Sequence, residues 1–173
     1  MGEDENKKRE RRHQEDLERL RGFRPIDDTF MRGLFKENIP LAELVLRIIT
    51  GKPDLVLLKC ETQADMKRVT GARSVCLDAY ATDSTGKKYD IEVQRSDNGA
   101  DPHRARYHSS MLDIEYRDNS DIGRLMHDFN CTNASDMYFD LLAEKTRYLK
   151  ENPKGVSEMC KVMEDLRNES YAE

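Results

Sequence analysis

Arg73 to Gln94 reads RSVCLDAYATDSTGKKYDIEVQ. Two runs of period two, Ser74 to Thr82 and Lys87 to Arg95, flank the turn-forming cluster Asp83-Ser84-Thr85-Gly86, and this pattern predicts a β-hairpin. Alternation puts Cys76, Asp78 and Tyr80 on one face and Val75, Leu77 and Ala79 on the other. On the return strand Asp90, Glu92 and Gln94 oppose Ile91 and Val93. With Ser84-Thr85-Gly86 as the loop, Asp83 faces Lys87, and counting back sets Asp78 opposite Glu92. Directly opposed residues have Cβ atoms about 5 Å apart, where like charges repel. A hard divalent cation would offset that repulsion, because Mg²⁺ is held by one or two carboxylates plus water and phosphate oxygens. Gln94, on the same face, could orient a water or a phosphate oxygen. The same acids also read as a solvated hairpin face, and a one-residue change in loop length would undo the pairing.

Around this hairpin the chain has the size of one domain. Its 173 residues can bury a sizeable core, and the fold class expected is α/β. Charged residues make up 36% and hydrophobic residues 37%, with a net charge of -5. So charge-rich a composition leaves some segments solvated. No apolar run reaches the roughly 20 residues of a membrane span, and no secretory signal opens the chain, so a cytoplasmic location away from membranes is expected. Cys60, Cys76, Cys131 and Cys160 lie far apart without a C-x-x-C pair. That spacing argues against a zinc site or a disulfide framework and for reduced, buried thiols, with Cys76, on the Asp78 face, a partial exception.

Residues 1–24 form a charged arm, helical or disordered, in which Leu17 and Leu20 stand among interleaved acids and bases. It reads either as a solvated segment or, through its basic cluster, as a DNA-contacting arm. Residues 25–173 form the single domain. Asp27 or Asp28 caps a helix through Phe30, Leu34 and Phe35. Pro40 opens a second helix whose core face is Leu41, Leu44, Val45, Ile48 and Ile49. Glu43 lies off that face. Leu55 to Gln63 reads as a strand beside the hairpin.

After Gln94, Asp101-Pro102 predicts a helix start. Arg104 shares a helical face with Tyr107 and His108. A guanidinium there is suited to holding a phosphodiester; Tyr107 in the core and Arg104 at the surface is the alternative. C-terminal helices are expected from about 122. A helix capped by Ser135 runs through Met137, Tyr138, Leu141, Leu142 and Leu149 to Asn152-Pro153. Val156, Met159, Cys160, Met163 and Leu166 form a second stripe, giving a helical hairpin. His127 and Asp128 have no partner at ligand spacing in this reading, so no metal is expected there.

The string RSVCLDAYATDSTGKKYDIEVQ followed by RARYHSSMLD, preceded by Asp27-Asp28-Thr29-Phe30-Met31, Leu34-Phe35 and ELVLRII, resembles the Rpn-type recombination-promoting nucleases, the PD-(D/E)XK nuclease family transposases. The likeness runs from about Asp27 to Asp113 and again over the C-terminal helices. It implies a restriction-endonuclease-like core with a small mixed β-sheet flanked by helices. The implied activity is Mg²⁺-dependent DNA cleavage, with Mn²⁺ as a substitute. Asp78, Glu92 and Gln94 would be the catalytic set, with Asp78 and Glu92 on the metal and Gln94 where lysine is usual. Arg104 and Tyr107 would contact substrate, and Glu43 would be an accessory acid from the first core helix. Beyond Asp113 the chain is shorter than the resemblance implies, and Ile114 to Tyr116 offers at most a stub of strand. A lost central strand would leave an open sheet edge and invite a homodimer. Two rival readings are a catalytically inactive relative serving as a DNA-binding or interaction module, and a remnant of a mobile element.

Overall fold

The computed structural model describes residues 2–62, 79–94, 111–113 and 119–170, with side chains over 5–61, 80–89 and 119–168. Over these residues the chain is a mixed α/β structure of six α-helices and a four-stranded sheet. The charged N-terminal segment is helix α1, Gly2–Gly22. Its residues 5–15 are exposed on every side, whereas Asp16 and Leu20, one turn apart, are buried. This α1 is anchored by its second half alone.

Helix α2, Asp28–Phe35, is short but buries Phe30, Met31, Leu34 and Phe35 completely. Helix α3, Ile39–Thr50, starts where Asn38 Oδ1 accepts from the Leu41 amide at 3.3 Å and stops at Gly51, whose φ of 64° is left-handed. Pro40 and Gly51 thus bracket it as N-terminal proline and C-terminal glycine do in general. Leu41, Ala42, Val45 and Leu46 are fully buried, while Leu44, Ile48 and Ile49 pack at the margin. The core face is therefore rotated slightly from the one the spacing predicts.

Strands β1 (Leu57–Thr62), β2 (Ala79–Asp83) and β3 (Lys88–Gln94) run antiparallel in that order, and β4 (Met111–Asp113) joins parallel to β3. Between β1 and β2 the register slips so that Leu57 pairs with Asp83 and Lys59 with Thr82. Leu58 is the extra residue of this bulge. It is 65% exposed, and the phase change lets Leu57 and Cys60 both face inward. The sheet meets the helices through β1, which lies on α2 and α3.

Helix α4, Asp121–Asn130, is capped by Ser120 Oγ, which accepts from the Gly123 amide at 3.1 Å. A helix starting directly after Ser135 does not form. Ala134–Asp136 makes one 3-10 turn, Met137 and Phe139 are extended, and α5 begins at Asp140 and ends at Glu151. The buried Asp128 carboxylate accepts from the amides of Tyr138 and Phe139 at 2.8–3.0 Å, so those donors are engaged before any helix could use them. Tyr138 and Leu141, two of the apolar positions named for that helix, are 60% and 43% exposed.

Helix α6, Pro153–Ser170, folds back on α5 and buries Met159 and Met163. Arg167 grips Asp16 of α1 with both terminal guanidinium nitrogens. Lys150 of α5 donates to the carbonyls of Arg21, Phe23 and Thr132, tying the end of α1 and its link to α2 to the segment after α4. Burial lowers its pKa, opposed by Asp27. Among the described residues no helix is long and apolar enough to cross a membrane.

Candidate functional site

The hairpin loop is built on one carboxylate. Asp83 Oδ1 accepts from the Thr85 hydroxyl at 2.7 Å and from the amides of Thr85 and Lys87 at 2.9 Å, while Oδ2 accepts from the Tyr89 hydroxyl at 2.9 Å. The Thr85 hydroxyl, then that of Tyr89 and the two amides, outweigh burial and hold the Asp83 pKa at about 2. Gly86, at φ 83°, closes the turn. The Asp83 amide donates to Lys87 O at 2.9 Å, the pairing that a Ser84-Thr85-Gly86 loop requires.

From this turn the register runs Thr82 with Lys88, Ala81 with Tyr89, Tyr80 with Asp90 and Ala79 with Ile91. Ala81 and Tyr89 are buried on one face. Tyr80, half-buried, lies beneath Lys88 Nζ at 5.8 Å on the other. The hairpin is therefore two-faced as its alternation predicts.

Strand β3 extends past β2 within the described residues, and there it is paired by β4, Glu92 with Met111 and Gln94 with Asp113. The backbone carrying Glu92 and Gln94 is thus paired with β4 along one side. Asp113, which the sequence offers only as the end of the family likeness, becomes the register neighbour of Gln94. Asp78, Arg104 and Tyr107 lie outside the described residues, as does the stub at Ile114 to Tyr116.

Glu43 has an evident structural engagement. Its Oε1 accepts from the Leu57 amide at 2.7 Å and its Oε2 from Arg47 at 3.3 Å, while Arg47 Nε donates to Leu55 O at 2.8 Å. This pair clamps the start of β1 onto α3 and uses both carboxylate oxygens.

A second cluster lies at the end of α4. His127 Nδ1 is 3.2 Å from Asp128 Oδ1, and Cys131 Sγ is 3.5 Å from the same nitrogen. One ligand atom from each of the three lies within 4.8 Å of the others. The partner that the sequence reading missed is Cys131, four residues after His127 and just past the helix end; the H-D-x-x-C spacing was its signal. Cys131 is also only partly buried, as is Cys160, against the expectation of buried thiols, which Cys60 alone meets among the described cysteines. Burial first, then the carboxylates of Asp128 and Asp136, push the Cys131 thiol up to about 11.

No family model, curated protein or solved structure matches the chain in comparisons with all three.

Proposed function

We propose that the chain is a metal-dependent DNA endonuclease of the recombination-promoting nuclease type, built on a restriction-endonuclease-like core. The observation that carries this reading is the hairpin register, Tyr80 with Asp90 and Ala79 with Ile91; the same count taken one residue beyond the described strand would set Asp78 opposite Glu92. The mixed sheet, with three antiparallel strands and a fourth parallel to the third, supports the fold that the family likeness implies.

In this reading Asp78 and Glu92 hold Mg²⁺, or Mn²⁺ in its place; two carboxylates are the hard oxygen donors these ions prefer. When bound, the ion polarises a phosphoryl oxygen and lowers the pKa of its water. The carboxylates then contribute placement rather than proton transfer. Gln94 supplies an amide where a lysine is usual, so it can orient a water or phosphate oxygen but brings no positive charge and no base. Arg104 and Tyr107 contact the DNA backbone. Glu43 is left out of this set, since both its oxygens are engaged at the start of β1.

The test is plasmid cleavage with Mg²⁺ by the wild type, Asp78→Ala and Glu92→Ala. The wild type cuts, and each variant loses activity by on the order of a hundredfold or more if the ion supplies several kcal/mol of transition-state stabilisation. Equal behaviour of all three proteins overturns the assignment. Gln94 favours one second reading, a DNA-binding module without cleavage; DNA binding that survives Asp78→Ala, with no cutting under any divalent ion, selects it.

A further inference from the structure

We propose that His127, Asp128 and Cys131 form a zinc-class metal site at the C-terminal end of α4, with three protein ligands and a fourth position left to water. The residue types come first. An imidazole, a thiolate and a carboxylate are the donors that zinc and its neighbours accept, and the sulfur and nitrogen are poor ligands for Mg²⁺. This site is therefore chemically distinct from the Asp78–Glu92 proposal and stands independently of it.

The spacing follows. Zinc bonds of about 2.0–2.3 Å arranged tetrahedrally put nitrogen and oxygen about 3.3 Å apart, and nitrogen and sulfur about 3.6 Å apart. Here His127 Nδ1 is 3.2 Å from Asp128 Oδ1 and 3.5 Å from Cys131 Sγ. The buried carboxylate is preset: Oδ1 accepts from the Tyr138 amide at 2.9 Å, and Oδ2 accepts from the amides of Tyr138 at 3.0 Å and Phe139 at 2.8 Å. Outer hydrogen bonds of this kind fix a ligand's orientation before the ion arrives. The open side is His127, whose side chain is 47% exposed and provides both the entry path and the water position.

Metal-free, the same atoms satisfy one another. His127 Nδ1 lies within hydrogen-bond distance of Asp128, and the Cys131 thiol donates to the Asp136 carbonyl at 3.7 Å. Binding exchanges these contacts for coordination: the thiol releases its proton, and the imidazole carries its proton on Nε2. Cys131 Sγ is 3.5 Å from Nδ1 and 3.9 Å from Nε2, so the ring turns about its outer torsion to aim Nδ1 at the shared centre. Its contact with the Tyr138 ring, at 4.8 Å between centroids, changes with that turn.

The experiment is a Co²⁺ titration of the 173-residue chain under reducing conditions. One equivalent should produce a near-ultraviolet sulfur-to-cobalt charge-transfer band with visible bands of tetrahedral intensity, both removed by Zn²⁺. Cys131→Ser should abolish the charge-transfer band and lower the cobalt affinity at least on the order of tenfold. His127→Gln, on a half-exposed side chain, should weaken binding similarly with the circular dichroism of the wild type. It carries the test should Cys131→Ser not fold. Absence of the band in the wild type, or its persistence at full strength in a folded variant, overturns the site; persistence in Cys131→Ser would assign the sulfur to Cys60, Cys76 or Cys160.

Discussion

At the scale of single residues, Asp83 decides whether the hairpin can turn. One carboxylate satisfies two amides and two hydroxyls, and a residue only 7% exposed that lost this acceptor would leave several of those donors unpaired. Its folded pKa of about 2 lies below the roughly 3.9 of an unfolded aspartate. A depressed acid stabilises the fold in full above the unfolded value and loses that contribution as pH falls through the folded one. Asp83→Asn should therefore melt below the wild type at pH 7, with the gap closing between about pH 4 and pH 2. A gap independent of pH across that window would assign the effect to shape, not charge. Glu43 invites a parallel test. Glu43→Ala strips the Leu57 amide and Arg47 of their acceptor and should cost about 1–2 kcal/mol in urea unfolding without altering the response to Mg²⁺. A variant that kept its stability but lost Mg²⁺-dependent cleavage would restore Glu43 as an accessory acid.

Among the elements, the turn between α5 and α6 is set by Gly155. A Cβ there would lie 2.1 Å from the Tyr148 carbonyl oxygen, which is backbone and cannot step aside. A Cβ on Gly33 in α2 would lie 2.2 Å from Met159 Sδ, the flexible end of a side chain. Gly155→Ala should destabilise by about 1–3 kcal/mol, and Gly33→Ala should cost less; the reverse order in thermal melts would mean that α2 is the tighter contact. Helix α1 hangs on the Asp16–Arg167 pair and Leu20. Because Arg167 is partly exposed, Arg167→Ala should cost about 1–3 kcal/mol and make α1 the first segment cut in limited proteolysis. These elements differ in how far the sequence foretold them. The bounds of α2 and α3 were legible because apolar periodicity and local caps act within one turn. The start of α5 was not, because Asp128, ten residues earlier in the chain, takes the Tyr138 amide. The bulge at Leu58 escaped for a similar reason: it depends on how β1 meets β2, not on β1 itself.

For the molecule as a whole, the legible part of the candidate site is the part fixed by local register. The loop at Asp83 determines which residues of β2 and β3 face each other, so that pairing could be counted from the sequence. The neighbour of Gln94 could not, because Asp113 of β4 reaches it from nineteen residues further along and in parallel. Cys131 beside His127 depends on how the chain leaves α4. The two proposed metal sites make one combined prediction that separates them, since an ion that binds only the folded state raises stability by about 2.7 kcal/mol at a hundredfold excess over its Kd. Mg²⁺ or Mn²⁺ should raise the Tm of the wild type and of Cys131→Ser alike, and should fail to raise that of Asp78→Ala. For Zn²⁺ or Co²⁺ at stoichiometric concentration, Asp78→Ala should gain stability and Cys131→Ser should not. Hard oxygen donors and a nitrogen–sulfur set have opposite preferences, so each ion reports on its own site. A single variant that abolished both responses would mean that the chain holds one metal centre, and that one of the two sites has been assigned to the wrong residues.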